Sequence, residues 1–284
     1  MERNNRTITA ERLAGYAAYL GERERAPATI QKYLRDVEAL AAFLGGRPAG
    51  KADLIAWKDQ LAASHAPAAV NAMLAGVNGF LAFCGWGELK ISPLRLQRSL
   101  FWDEGRELTR ADYARLVAAA RRRENERLAL VIQTICATGI RVSELKFITV
   151  EAVGEGRAEI TNKGKRRVVF LPVKLRRLLA KYLKKRKKTA GAVFTTRTGK
   201  PLDRSNIWRD MKALCASAGV EPGRVFPHNL RHLFARTYYS MEKDLSRLAD
   251  ILGHSSVNTT RLYTVESGAE HARQMERTGL VLTE

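Results

Sequence analysis

Tyr263 stands nine residues after His254, in the run Leu252-Gly253-His254-Ser255-Ser256-Val257-Asn258-Thr259-Thr260-Arg261-Leu262-Tyr263. A phenol is protonated at neutral pH, so a tyrosine that attacks an electrophile needs activation by its neighbours, and the attack leaves a covalent intermediate. A histidine at a helix joint is more often a packing residue, and a tyrosine on a short helix more often belongs to a core. Three other segments add weight to the pair. Ala137-Thr138-Gly139-Ile140-Arg141-Val142-Ser143-Glu144-Leu145 sets Arg141 and Glu144 three residues apart, directly after a glycine turn. As a surface ion pair they would contribute under about 1 kcal/mol. As an arginine steadied by a carboxylate, they would aim a planar fork at a phosphate. Phe226-Pro227-His228-Asn229-Leu230-Arg231-His232-Leu233-Phe234-Ala235 sets His228 and Arg231 on one helical face. Lys163 sits at the tip of a candidate hairpin, a good device for carrying one ammonium into a groove, although most lysines are only solvated charges. His228 and His232 lack a third ligand at familiar spacing and the glutamate of a zinc-protease helix, so no metal or cofactor is expected.

Hydrophobic periodicity shows the elements that must hold these groups. Leu245, Leu248, Ala249 and Leu252 fall at i, i+3, i+4 and i+7, the buried stripe of a helix that Gly253 ends. Ser255 or Ser256 then caps a new helix. Leu128 to Thr138 is almost wholly apolar and predicts a buried spine. From Arg157 to Pro172, alternating and β-branched residues flank Asn162-Lys163-Gly164-Lys165, which predicts a hairpin. Upstream, four apolar stripes predict a four-helix unit, its last helix carrying Val70, Leu74, Val77 and Leu81 with Gly76 and Gly79 for close packing. Residues 94–105 show no periodicity. The expected division is a helical unit over 1–93, a linker over 94–107 and a second domain over 108–284 that holds every candidate site residue.

Composition narrows the class of partner. The chain of 284 residues is 45% hydrophobic, enough for a sizeable core, and has no apolar run of membrane-spanning length. Cys84, Cys136 and Cys215 show neither disulfide nor metal spacing, which favours a cytoplasmic location. The net charge of +20 is concentrated: Arg157 to Lys200 holds sixteen Lys and Arg against one acid, Glu159. Such an excess suits a polyanion, most often nucleic acid, better than a membrane surface.

Together these segments resemble the tyrosine recombinases, the Xer, phage-integrase and Cre-like superfamily. The resemblance covers nearly the whole chain and is strongest in Ala137–Leu145, Pro227–Ala235 and Leu252–Thr264. It implies a mainly α fold with a small β-hairpin, in which a helical, SAM-like core-binding domain and a catalytic domain close on DNA as a C-shaped clamp. It further implies that Tyr263 is the nucleophile, that Arg141 and Arg231 bind the scissile phosphate, and that Lys163 is the general acid. Lys165, two residues on, stays open for that last role. His228 and His254 would assist by hydrogen bonding and proton handling, and Glu144 would buttress the site. The implied reaction cleaves and rejoins double-stranded DNA through a 3′-phosphotyrosine, without ATP, in a homotetramer on paired sites. Residues 269–279 would form a terminal helix that docks on a neighbouring subunit. A single modest domain before the linker leans towards a simple Xer-like enzyme. A type IB topoisomerase and a catalytically silent DNA-binding relative are the rival readings; the spacing of His228, Arg231, His254 and Tyr263 speaks against the first, and the full residue set against the second.

Overall fold

Prolines and glycines punctuate the helices of the chain. The computed structural model describes residues 6–96, 104–162, 164–254, 256–263, 273 and 275–278, and the chain divides into two compact units, Met1–Arg98 and Ser99–Glu284, each with its own core. It is mainly helical, with a two-stranded sheet among the described residues. Lys163 lies outside them, as do the side chain of Lys165 and most of the expected terminal helix over 269–279. No helix among them is long and apolar enough to cross a membrane.

The first unit contains α1 (Ala10–Glu22), α2 (Pro27–Leu44), α3 (Lys51–Ser64) and α4 (Pro67–Phe83). Proline opens α2 and α4, where its fixed φ suits the first helical position. The stripe Val70, Leu74, Val77 and Leu81 is buried against α2. Gly76 and Gly79 permit this approach: a Cβ would lie 2.9 Å from the Asp36 carboxylate at the first and 2.5 Å from the Tyr16 hydroxyl at the second. Asn78 and Asn71, two turns apart on α4, then clasp the outgoing chain. Asn78 exchanges two hydrogen bonds with the backbone of Ile91 (2.8 and 2.9 Å), and Asn71 two with Leu94 (2.9 and 2.7 Å). Each amide satisfies both polar groups of one backbone residue.

In the second unit, α5 (Arg110–Arg122) opens with a capping box of Thr109 and Asp112, and α6 (Glu126–Thr138) is capped by Asn125. The buried α6 packs against α5, α8 (Val173–Arg186), α9 (Arg204–Ala218) and α10 (Pro227–Glu242). Its Thr134 and Thr138 are buried without penalty because their hydroxyls donate to the carbonyls one turn back, at 2.7 and 2.6 Å. Between α6 and α8 come a short α7 (Val150–Glu155) and the antiparallel strands β1 (Arg157–Asn162) and β2 (Lys165–Phe170), paired from Arg157↔Phe170 to Asn162↔Lys165. Gly164, at φ +74°, turns the hairpin. α8 buries Leu175, Leu179, Tyr182 and Leu183 while Lys174, Arg177, Lys181 and Lys184 face solvent. After α10 come α11 (Leu245–Leu252), α12 (Val257–Thr260) and a 3₁₀ turn, Arg261–Tyr263.

Gly139 ends α6 at φ +65°, and a Cβ there would lie 2.4 Å from the Phe234 ring on α10. Both the left-handed backbone and the lack of space demand glycine. Gly139→Ala should therefore destabilise the protein by at least about 1 kcal/mol, read as a fall of at least about 2–4 °C in the thermal unfolding midpoint.

Candidate active site

The left-handed turn at Gly139 releases the chain into a 3₁₀ helix, Val142–Phe147, which carries Glu144 inward. Glu144 is 1% exposed and is enclosed by donors. Its Oε2 accepts the Arg141 amide at 2.7 Å, its Oε1 accepts Arg141 Nη1 at 3.0 Å, and Arg167 adds a two-pronged pair at 3.0 and 2.7 Å. Burial works against the carboxylate's charge, but the bonds from Arg167 and Arg141 prevail and hold its pKa at about 2. Arg167 is a site residue that the motif reading missed. Its signal was an arginine on the same face of β2 as the buried Val169, opposite the buried Ile160.

The C-terminus of α11 supplies the second set of partners. Gly253 ends that helix at φ +64°, leaving the last carbonyls without intrahelical donors. Arg167 Nε donates to the Ile251 carbonyl at 3.2 Å, Arg231 Nη2 to that of Leu252 at 2.8 Å, and Arg141 more loosely to those of Leu252 (3.5 Å) and Gly253 (3.4 Å). Arg231 Nη1 also donates to the Gly139 carbonyl at 2.7 Å, so this buried guanidinium ties the end of α6 to the end of α11. Burial and the nearby Arg141 lower its pKa to about 10, which leaves it charged at neutral pH. Gly253 has no room for a side chain either, since a Cβ would lie 2.9 Å from the Arg167 Cδ.

His254 follows at once. Its Nε2 lies 2.9 Å from Arg231 Nη2 and its Nδ1 2.8 Å from Thr260 Oγ1. A guanidinium can only donate, so Nε2 is the acceptor and the ring proton sits on Nδ1, donated to Thr260. Burial and then Arg231 push the pKa of His254 down to about 4; burial, His232, Arg231 and Arg141 do the same to His228. Both imidazoles are neutral near pH 7. Ser256 caps α12 through the Asn258 amide, and the 3₁₀ turn after it brings Tyr263 back over the site. The Tyr263 ring is 6% exposed, nearly parallel to His254 (5.9 Å, 16°) and perpendicular to His232 (4.9 Å, 88°). The Arg231 guanidinium is an electrostatic partner of its phenolic group.

Arg141, His228, Arg231, His254 and Tyr263 are thus gathered from four elements, whereas Lys163 lies outside the described residues. A cavity of about 870 Å³ opens on Arg141, His228 and Arg231, with Arg204, Trp208 and Phe226 on its walls. Two neighbouring guanidiniums could stabilise charge on the oxygens of an anion such as a phosphodiester, and a tyrosine near them could serve as a nucleophile.

Residues 106–270 match the phage integrase family. The chain is 30% identical over 269 residues to the tyrosine recombinase XerD of Xanthomonas campestris pv. campestris, covering 84% of this chain and 81% of that protein. It is 25% identical over 287 residues to the tyrosine recombinase XerA of Pyrococcus furiosus, covering 97% and 96%. Among solved structures, a lambda integrase tetramer bound to a Holliday junction superposes with a TM-score of 0.74 at 19% identity, over 92% of this chain and 78% of the integrase chain.

The depressed pKa values set a pH window. Below pH 6.5 the unfolded chain protonates His228 and His254 while the folded one does not until about pH 4, so their share of stability is complete above 6.5 and fades between 6.5 and 4. Glu144 adds stability that is complete above its ordinary 4.5 and is lost as pH falls towards 2. Thermal unfolding midpoints should therefore fall on acidification below pH 6.5. His228→Asn with His254→Asn should flatten the upper part of that decline; an unchanged slope would mean that both rings titrate normally.

Proposed function

The chain belongs to the phage integrase family and is a tyrosine-type site-specific DNA recombinase, and we propose that Tyr263 attacks the scissile phosphate from within its own subunit. The observation that carries this reading is the seat of Tyr263 against His254, His232 and Arg231 of the same chain. Arg141 and Arg231 hold the non-bridging oxygens, where charge accumulates in the transition state. Arg141 is the freer of the two, being 36% exposed on the cavity with bonds of 3.4–3.5 Å to backbone carbonyls that a phosphate can displace. The phenolic oxygen bonds to phosphorus, the bond to the 5′ oxygen breaks, and the neutral His228 takes up the phenolic proton while His254 assists through its hydrogen bond with Arg231. Lys163 donates a proton to the departing 5′ oxygen. The phosphotyrosine keeps the energy of the broken bond, so a 5′ hydroxyl from a partner strand reseals it by the reverse path.

The exposed basic residues of β2 and α8 support contact with the phosphate backbone, and a homotetramer on paired sites is the assembly that exchange between two duplexes requires. Lambda integrase has been solved in that state, as a tetramer on a Holliday junction.

A nicked suicide duplex, carrying the sequence that the protein selects from a randomised pool, tests the reading. The covalent adduct should map to Tyr263 and not to Tyr238 or Tyr239. Mixing Tyr263→Phe with Arg231→Ala subunits should leave cleavage absent, because neither subunit holds a whole site; restored cleavage would mean that the tyrosine is donated by a neighbour. For the general acid, Lys163→Ala should cleave ordinary DNA very poorly and recover on a 5′-bridging phosphorothiolate, whose sulfur leaves without a proton. Arg141→Ala should not recover comparably. Recovery of Lys165→Ala instead would move the role to Lys165.

A further inference from the structure

One buried acid and one imidazole beside the nucleophile have no task in this reaction. Glu107 is 4% exposed although it lies in the aperiodic segment before α5. Its Oε1 is 3.4 Å from His232 Nδ1, and its Oε2 is 3.0 Å from Arg236 Nη2. Arg236 is itself anchored, donating to the Leu108 carbonyl at 3.1 Å. His232, whose side chain is 15% exposed, therefore has a fixed carboxylate on one side. On its other sides are the rings of His228, at 4.4 Å, and Tyr263, at 4.9 Å and perpendicular.

A tyrosine nucleophile has a hydroxyl on the long axis of its ring. Spinning the ring about that axis leaves the oxygen in place, whereas tilting the axis swings it away from phosphorus. His254 lies nearly parallel to the ring and so restrains tilt in one direction only. A contact perpendicular to it is needed for the other, and His232 is the aromatic group in that position. An imidazole can serve only if it is itself held, and the buried Glu107 carboxylate, ion-paired with an anchored arginine, lies 3.4 Å from its Nδ1. A bare Glu107–Arg236 ion pair would account for the carboxylate but not for the histidine between it and Tyr263.

We propose that Glu107 and His232 are positioning residues for the nucleophile: the carboxylate orients the imidazole, and the imidazole ring sets the tilt of Tyr263. Neither touches the phosphate. The inference rests on Tyr263 as the attacking group, and it makes the ring of His232 the active part, with its nitrogens serving only to fix that ring.

The test is single-turnover cleavage of the selected nicked duplex at saturating DNA, with duplex affinity and the unfolding midpoint measured on each variant. His232→Ala should lower the cleavage rate constant about 10- to 100-fold, the scale of a small misplacement of a reacting atom, while affinity stays within about twofold. His232→Phe, which keeps a ring in place, should recover most of that loss; His232→Asn, which keeps a polar partner for Glu107 but has no ring, should not. Glu107→Ala should slow cleavage as well, and the double variant Glu107→Ala/His232→Ala should be no slower than the slower single. If His232→Ala unfolds at the assay temperature, the comparison of Phe with Asn, both of which fill the site, decides. Cleavage by His232→Ala at the wild-type rate would overturn the proposal, as would a Phe variant as slow as the Ala or Asn variant, or a loss that appears wholly in affinity. A wild-type adduct at a tyrosine other than 263 would overturn the nucleophile assignment itself, and with it this role for His232.

Discussion

Three guanidiniums share one helix end. Arg141, Arg167 and Arg231 all donate to the carbonyls of residues 251–253, where α11 stops. Like charges gathered this closely repel, and two features make the cluster tolerable. The end of a helix carries partial negative charge on its unpaired carbonyls, and Glu144 lies buried between two of the three arginines. The balance is deliberately incomplete in the physical sense: three cations face one carboxylate, and both neighbouring imidazoles are neutral. In the proposed reaction the remaining positive charge would attract an incoming phosphodiester.

The same arginine that helps form the proposed anion site also lies beside the proposed nucleophile. Arg231 bonds to the ends of α6 and α11 and to His254, and it interacts electrostatically with Tyr263. Tyr263 itself packs on a small cluster, Ala235, Leu248 and Leu252, apart from the large core that surrounds α6. Phe234, Tyr238 and Tyr239 also pack on that cluster, and one buried side chain lies next to both the proposed anion site and the tyrosine. Short bonds tie Arg231 to the backbone, whereas Arg141 reaches the backbone through long ones and is held at 3.0 Å by Glu144. That difference assigns the first to architecture as much as to chemistry, and leaves the second ready to change partners.

Much of this was legible before any coordinates. The helix ending at Gly253, the buried α6 ending at Gly139, the hairpin around Gly164, and the spacing of Arg141, His228, Arg231, His254 and Tyr263 follow from periodicity and residue type. These signals are local, and local signals survive in a linear text. What escaped the reading depends on contacts between distant segments. Arg167 belongs to a strand whose many basic residues all look alike until the register shows which one faces inward. Glu107 follows Asp103 and Glu104 in the expected linker, and nothing nearby hints that it is the acid that meets α10. His232 was weighed only as a metal ligand, because its neighbour in sequence is His228 whereas its neighbour in space is also Tyr263.

The acceptors at the end of α11 are main-chain oxygens, which every amino acid possesses. Exchanging Ile251 or Leu252 for another apolar residue leaves the anchoring of Arg167 and Arg231 intact, whereas altering an arginine, or giving Gly253 a side chain, does not. The site is thus asymmetric in its tolerance of genetic change: one half is written in side chains and erodes with them, and the other half is written in backbone and persists while its letters drift. A designer moving this chemistry to another scaffold would have to transplant a helix terminus and its glycine, since copying the charged residues alone would leave them nothing to hold.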